Sequence, residues 1–387
     1  MRSAPVSRRR PLQWWLASLS ALILLVACGG GVGAGGTGSF ASGPINGFGS
    51  IMVGGVFFDE SNARIEADDG SGRNRTELRL GTMVEIDSGE IRDGAATASQ
   101  VRIVSVLIGR VQTKAPATLV VNGLTVHVQA STAFDEGFAG GLSGVALGAT
   151  VEVHGFLMSS SGDILATRIE PESANSAHKF RGTIAALNRT ARTFDIGTQH
   201  FSYPASLAEA ALLADGAVLR VTVDNQLDAQ GRWPVTSVGT AGPPSGSRGQ
   251  ARARGVISAF TSIGDFRVGG TPVDASTAQI VGGTLGAQVR VAVEGRLLGG
   301  VLIATRVEVE DDTDDEIEVR GRIVSVDAAA KVLEFNGNRE RVSYARTDVV
   351  YEDGTAADLA VGRRVRAYGQ LSADGTLVEA RRIRFDD

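Results

Sequence analysis

The chain has 387 residues, is 43% hydrophobic, and carries 38 Lys and Arg against 43 Asp and Glu, a formal charge of −5. Such an acidic chain lacks the overall positive field that draws proteins to nucleic acid, so nucleic acid is not an expected partner. A single cysteine excludes a disulfide framework within one chain.

Arg2, Arg8, Arg9 and Arg10 precede an uncharged run that ends at Cys28. Its apolar part, residues 16–27, is short of the roughly 20 residues a spanning helix needs, so residues 1–27 read as an export signal. The end of that signal, Leu25-Val26-Ala27-Cys28, resembles the bacterial lipobox, in which the cysteine becomes the first mature residue and carries lipid. Cys28 is therefore the expected lipidation site, and the expected partner at this end is the membrane. The run Ser7-Arg8-Arg9-Arg10-Pro11-Leu12 approaches a twin-arginine signal, but Pro11 stands where an apolar residue normally follows. Cleavage removes four arginines and leaves 34 cations against 43 acids, a charge of −9. Residues 28–42 are rich in glycine and read as a flexible tether. Gly29, where an aspartate would signal otherwise, points to the outer membrane by analogy with lipoprotein sorting. Several acyl chains together make a stable anchor.

After the tether, apolar residues alternate with polar ones, the period of strands with one buried face. A unit of such strands recurs five times. The first copy opens at Gly43-Pro44-Ile45 and makes a hairpin over Met52-Val53-Gly54-Gly55-Val56. The second opens at Gly109-Arg110-Val111 and carries Asn122-Gly123, the pair that favours a type I′ turn. The third opens at Arg181-Gly182 and is the most divergent. Its residues 205–214, A-S-L-A-E-A-A-L-L-A, read as a short helix capping a barrel. The fourth, Arg254 to Val309, is the clearest, with turns at Gly269-Gly270 and Gly299-Gly300. The fifth opens at Arg320-Gly321 and closes near Ile383.

Openings roughly 60–75 residues apart suit a small domain better than a solenoid rung. Closing each sheet removes its naked edges. The expected fold is all-β, a tandem array of about five small antiparallel OB-like β-barrels after a signal peptide and tether. A sandwich of paired repeats is the structural alternative. The expected boundaries are 43–105, 106–173, 178–240, 250–310 and 317–387. Residues 241–249 form a linker, and 311–316 an acidic one.

The run G-P-I-N-G-F-G-S-I-M-V-G-G-V-F-F-D, Gly43 to Asp59, resembles the opening of the bacterial domain DUF5666. So does the L-G…V-x-V-x-G…L-x-A-T-R-V/I pattern of copies two and four. The resemblance covers nearly all of the chain after residue 42, and copy three departs from it most. It implies exported, lipoprotein-like proteins built of tandem small β-domains, and it implies no activity.

Candidate chemistry is sparse. Asp311, Asp312, Asp314, Asp315 and Glu316 are dense enough in oxygen to suggest calcium, but the EF-hand order and its glycine are absent. A solvated, self-repelling linker is the commoner fate of such a run. His127 and His154 fall on outward strand positions of copy two and read as surface residues, a poor zinc pair without a carboxylate or thiolate beside them. Glu85 and Glu152 likewise read as scattered outward carboxylates. No G-x-S-x-G, H-E-x-x-H or P-loop pattern occurs, so no catalytic residue is assigned and catalysis is not expected. Phe194, Phe266 and Phe335 read as core. The expected function is a lipid-anchored binding or scaffold protein of the cell envelope, with an unknown envelope or extracellular protein or polymer as partner. Two other readings stay open: an enzyme or enzyme accessory acting on envelope polymer with a site between repeats, and an OB-like binder of single-stranded nucleic acid or oligosaccharide.

Overall fold

A computed structural model describes residues 1, 38–158, 162–311, 316–336 and 340–386. The signal, Cys28 and most of the tether lie outside them.

The described chain forms five closed barrels of one topology. In the fourth, strand one (Arg248–Ser262) makes a hairpin with strand two (Asp265–Val268), which pairs with strand three (Thr271–Asp274). Strand three runs parallel to strand five (Val301–Val309). Strand five pairs with strand four (Arg290–Leu298), which returns to strand one and closes the ring. The order is 1-2-3-5-4, and the same ladders recur in the other four barrels. The expected glycine turns are present: Asn122 and Gly123 have φ of 47° and 80°, and Gly269 and Gly270 have 56° and 90°. Phe194, Phe266 and Phe335 are all 2% exposed or less and fill three of the barrel interiors.

Every barrel carries a bulge at one place in the ladder between strands four and five. The register slips at Asp87/Ser88, His154/Gly155, Thr222/Val223, Glu294/Gly295 and Tyr368/Gly369. One residue of strand five is left unpaired each time: Ser99, Thr167, Thr236, Thr305 or Arg381. This explains two motifs. The last glycine of V-x-V-x-G meets strand five so closely that a Cβ on Gly155, Gly295 or Gly369 would stand 2.1–2.3 Å from a backbone oxygen. The threonine of A-T-R is the unpaired residue, and in barrel four, as at the same place in barrels one and three, a hydroxyl mends the broken ladder. Ser99, Thr236 and Thr305 donate to the carbonyls of Asp87, Thr222 and Glu294 at 3.0, 3.2 and 3.1 Å. Thr167 donates instead to the Gly81 carbonyl of barrel one at 2.6 Å.

The barrels are fused through backbone rather than strung on linkers. Strand one of barrel one (Ser39–Pro44) pairs in parallel with residues 250–253 of barrel four. Its continuation (Gly47–Phe48) pairs in parallel with Glu318 and Val319 of barrel five. Leu107 and Ile108 of barrel two pair with Phe180 and Lys179 of barrel three. The strand at Ser39 thus begins inside the segment read as tether, and the strand at Arg248 begins inside the segment read as linker.

Side chains reinforce these joints, and they correct the reading of the outward carboxylates. Glu85 and Glu152 do point away from their own barrels, but they are 6% and 5% exposed because neighbouring barrels cover them. Glu85 of barrel one meets Arg181 of barrel three at 3.3 Å. Arg79 of barrel one and Glu340 of barrel five pair at 2.8 Å, both buried. Arg248 of barrel four reaches Asp87 of barrel one with two nitrogens. The A-S-L-A-E-A-A-L-L-A segment holds no α-helix. It makes a turn and a short 3₁₀ helix, Ala210–Leu212. Its buried leucines, Leu207 and Leu213, are six residues apart, a spacing that one helical face does not offer. They plug the barrel end, as expected of the segment, from an irregular loop.

His178 is 2% exposed at the joint between barrels two and three, where Asn122 Nδ2 donates to its Nδ1 at 3.0 Å. Burial, with Arg110 nearby, holds its pKa below the ordinary imidazole value. A histidine that resists protonation when folded gives up stability once the unfolded chain takes up protons. The stability is complete above about pH 6.5 and declines below it. Melting temperature should therefore fall between about pH 6.5 and pH 5, and His178→Gln should flatten that decline. Gly295→Ala should cost about 1–3 kcal/mol by forcing strands four and five apart. Gly286→Ala, where the nearest atom to a new Cβ is a side-chain methyl 4.0 Å away, should stay within about 0.5 kcal/mol. Urea unfolding of the two variants side by side checks the bulge.

Candidate functional site: an arginine face beside a groove

Alternation puts every second residue of a barrel strand on its outer surface, and the ladders of barrel five put those residues in rows. Strands one (Ile317–Asp327), four (Arg364–Leu371) and five (Val378–Asp386) lie side by side. Arg320 is opposite Arg366, which is opposite Arg384. Arg322 is opposite Arg364, which is opposite Asp386. Glu318 is opposite Tyr368, which is opposite Arg382. This three-by-three face holds six arginines and two acids. Like charges directly across a ladder are unfavourable, so a row such as Arg320–Arg366–Arg384 costs stability that a core does not require.

Some of that charge is absorbed locally. Arg366 meets Asp386 at 3.0 Å, and Arg384 meets Asp353 at 3.2 Å. Arg382 covers the Tyr368 ring at 4.1 Å. Arg320 lies 3.5 Å from the centre of the Phe57 ring of barrel one. Its burial, with Arg366 adding repulsion, draws its pKa below the ordinary guanidinium value. Burial also raises Glu318 above the usual carboxylate range. The Arg364 side chain is exposed and makes no hydrogen bond or ion pair among the described residues.

Barrel one walls the face. Gly49, Ser50, Asp59, Glu60 and Arg75 stand opposite Arg320, Arg322, Arg364 and Arg366 across a groove of about 520 Å³. Five arginines face three acids there, a combination suited to an extended anion carrying more than one charge. Sequence reading missed this face because its arginines come from three strands up to 64 positions apart, and the chain as a whole is acidic.

A second cavity, about 250 Å³, lies where barrels one, two, four and five meet, with Arg254 and Arg290 in its wall. Glu310 receives Arg254 at 2.8 Å and Arg290 at 3.5 Å, so the charge there is met from within.

Of the acidic run, Asp312, Asp314 and Asp315 lie outside the described residues. Asp311 and Glu316 are exposed at its two ends, with Arg382 4.0 Å from Glu316. Of the two histidines read as surface residues, His154 departs from that reading. His154 is fully buried rather than on the surface, and Glu170 lies 3.4 Å from its Nε2. His127, half-buried, sits on strand three, with strand five between it and His154, and His200 is exposed beside Asp195 at 2.7 Å. Glu152 and Glu170 are direct cross-strand neighbours. As an acid–base couple they are poorly suited, because Glu170, buried yet bonded by His154 and Arg168, titrates near 2 and holds no proton at neutral pH.

The family model described as "Domain of unknown function (DUF5666)" matches residues 108–170, 254–308 and 309–384. These are barrels two, four and five, the three with glycine at the bulge; barrels one and three have Ser88 and Val223 there. No curated protein matches the chain. Among solved structures, a multidomain protein with nucleic acid binding domains from Streptococcus pneumoniae TIGR4 is similar over 53% of this chain and 72% of that chain. The identity is 11% and the TM-score 0.16, a likeness too loose to bear on function. With three of its five barrels matched, half of its length, the chain belongs to the DUF5666 family.

Proposed function

We propose that this is a lipid-anchored binding protein of the bacterial envelope, held to the outer membrane through Cys28, whose arginine face takes an anionic envelope polymer. The six-arginine face of barrel five carries this reading. Its cost in like-charge repulsion is offset when phosphate or carboxylate groups enter the groove. The lipobox-like end of the signal and the glycine-rich run behind it support the anchor. Fusion of the barrels supports a rigid platform, which loses little freedom on binding an extended chain. Nucleic acid suits the face less well. Single-stranded bases need open aromatic faces, and Arg382 already covers Tyr368.

The polymer is tested with polygalacturonate, long-chain polyphosphate and single-stranded DNA as probes. Either of the first two should bind with an affinity that falls as salt rises. Arg322→Ala/Arg364→Ala should weaken binding at least tenfold and lower the salt slope by about 1 for each arginine removed. Equal binding by the double variant rejects the face, and preference for DNA rejects the envelope polymer. The anchor is tested by fractionation of cells carrying Cys28→Ser. Release of that protein from the membrane fraction is expected, and retention overturns the lipid anchor.

A further inference from the structure

We propose that Glu152, His154 and Glu170 of barrel two form a binding site for one divalent transition-metal ion, with Zn²⁺ the natural probe. The site is separate from the arginine face and does not depend on it.

Strand geometry brings the three together. Glu152 and His154 are two apart on strand four (Thr150–Leu157), so both leave the barrel on the same side. Glu170 on strand five (Ile164–Pro171) is directly opposite Glu152. The ligand atoms of all three lie within 4.8 Å of one another. Zinc holds nitrogen and oxygen at about 2.0–2.2 Å, which places tetrahedral ligands about 3.4 Å apart. His154 Nε2 and Glu170 Oε1 already stand 3.4 Å apart. A rotamer adjustment of Glu152 closes the set.

The surroundings have the form of a metal ligand shell. His154 is fully buried, and its Nδ1 lies 3.4 Å from the Val104 carbonyl of barrel one, an acceptor for the Nδ1 proton when a metal ion displaces the proton from Nε2. Glu170 is oriented by Arg168, whose Nε donates to Oε2 at 2.8 Å and leaves Oε1 turned to the histidine. Arg168 is itself held by Asp135 at 2.9 Å.

Glu152 supplies the independent observation. It is 5% exposed, yet among the described residues its carboxylate has no hydrogen-bond donor, and no cation lies within 4.0 Å of it. The attraction of Arg73 reaches it only from farther away. A buried carboxylate facing a second carboxylate across a ladder is unfavourable unless a cation stands between them. At the matching positions of barrel one the ladder sets Glu85 against Arg102, and the pair closes at 3.0 Å. Barrel two has Glu170 in place of that arginine and a histidine beside it. Three protein ligands leave a fourth position for water or another donor, the arrangement of open zinc sites.

The test is isothermal titration of Zn²⁺ into the full-length chain in detergent. It is paired with the visible d–d absorption of bound Co²⁺, which reports a nitrogen- and oxygen-ligated tetrahedral ion. Wild type should take up one equivalent. Glu152→Gln and His154→Gln should each weaken uptake at least thirtyfold and abolish the Co²⁺ band. His127→Ala and His200→Ala should leave both unchanged. Glu152→Gln keeps the shape of the side chain and removes a like charge, so it should fold as wild type does by circular dichroism. Absence of Zn²⁺ uptake by wild type overturns the site, and so does undiminished uptake by Glu152→Gln.

Discussion

A strand that closes a five-stranded barrel cannot spend both of its edges inside it along its whole length. Strand one gives its first half to strand four and its second half to strand two. Each half is left with one row of unpaired amides and carbonyls. An open row of this kind either stays solvated or finds another strand. In barrels one, four and five it finds the strand one of a neighbour, and barrels two and three join in the same way. Each added ladder bond contributes only about 1 kcal/mol net, but the pairing fixes orientation as well as distance. The buried pairs Arg79–Glu340 and Arg181–Glu85 then lie where the joined strands put them.

Barrel one occupies the middle of this arrangement. Its strand one is shared between barrels four and five, its Gly81 carbonyl receives Thr167 of barrel two, and its Asp68 meets Lys179 of barrel three at 3.2 Å. A small junction core of Met83, Val104, Phe156, Leu165 and Val256 draws on barrels one, two and four. Barrel one also walls the arginine groove and supplies the Val104 carbonyl behind His154. Both candidate sites thus lie between a peripheral barrel and the central one. A lone barrel would expose the same outward residues to water, where their charges are screened and their geometry is loose.

The bulge between strands four and five ties local sequence to these outer faces. It shifts register by one residue in every barrel and turns the following side chains outward in a fixed set of rows. The family motif V-x-V-x-G…A-T-R is the chemical imprint of that bulge, a glycine where strand five crowds in and, after the alanine, the one residue of strand five left out of the ladder. Because the backbone rows are the same, residue choice alone distinguishes the faces. Arginines fill them in barrel five, an acid–histidine trio in barrel two, and a matched Glu85–Arg102 pair in barrel one.

Alternation, glycine pairs and the repeat itself depend only on neighbours in sequence. They therefore disclosed five small closed barrels, the Asn122-Gly123 and Gly269-Gly270 turns, and the core positions of Phe194, Phe266 and Phe335. The helix expected at residues 205–214 does not form, because a barrel end asks for leucines six apart and overrides alanine's propensity. What tertiary structure decided is which outward residues meet. Arg320, Arg366 and Arg384 share a row only because three strands are in register. Glu152 and His154 looked solvent-facing because alternation separates inside from outside for one barrel and is blind to a second barrel lying against it. Long-range register and barrel-on-barrel packing are set by edges and surfaces far apart in sequence, and no local pattern encodes them.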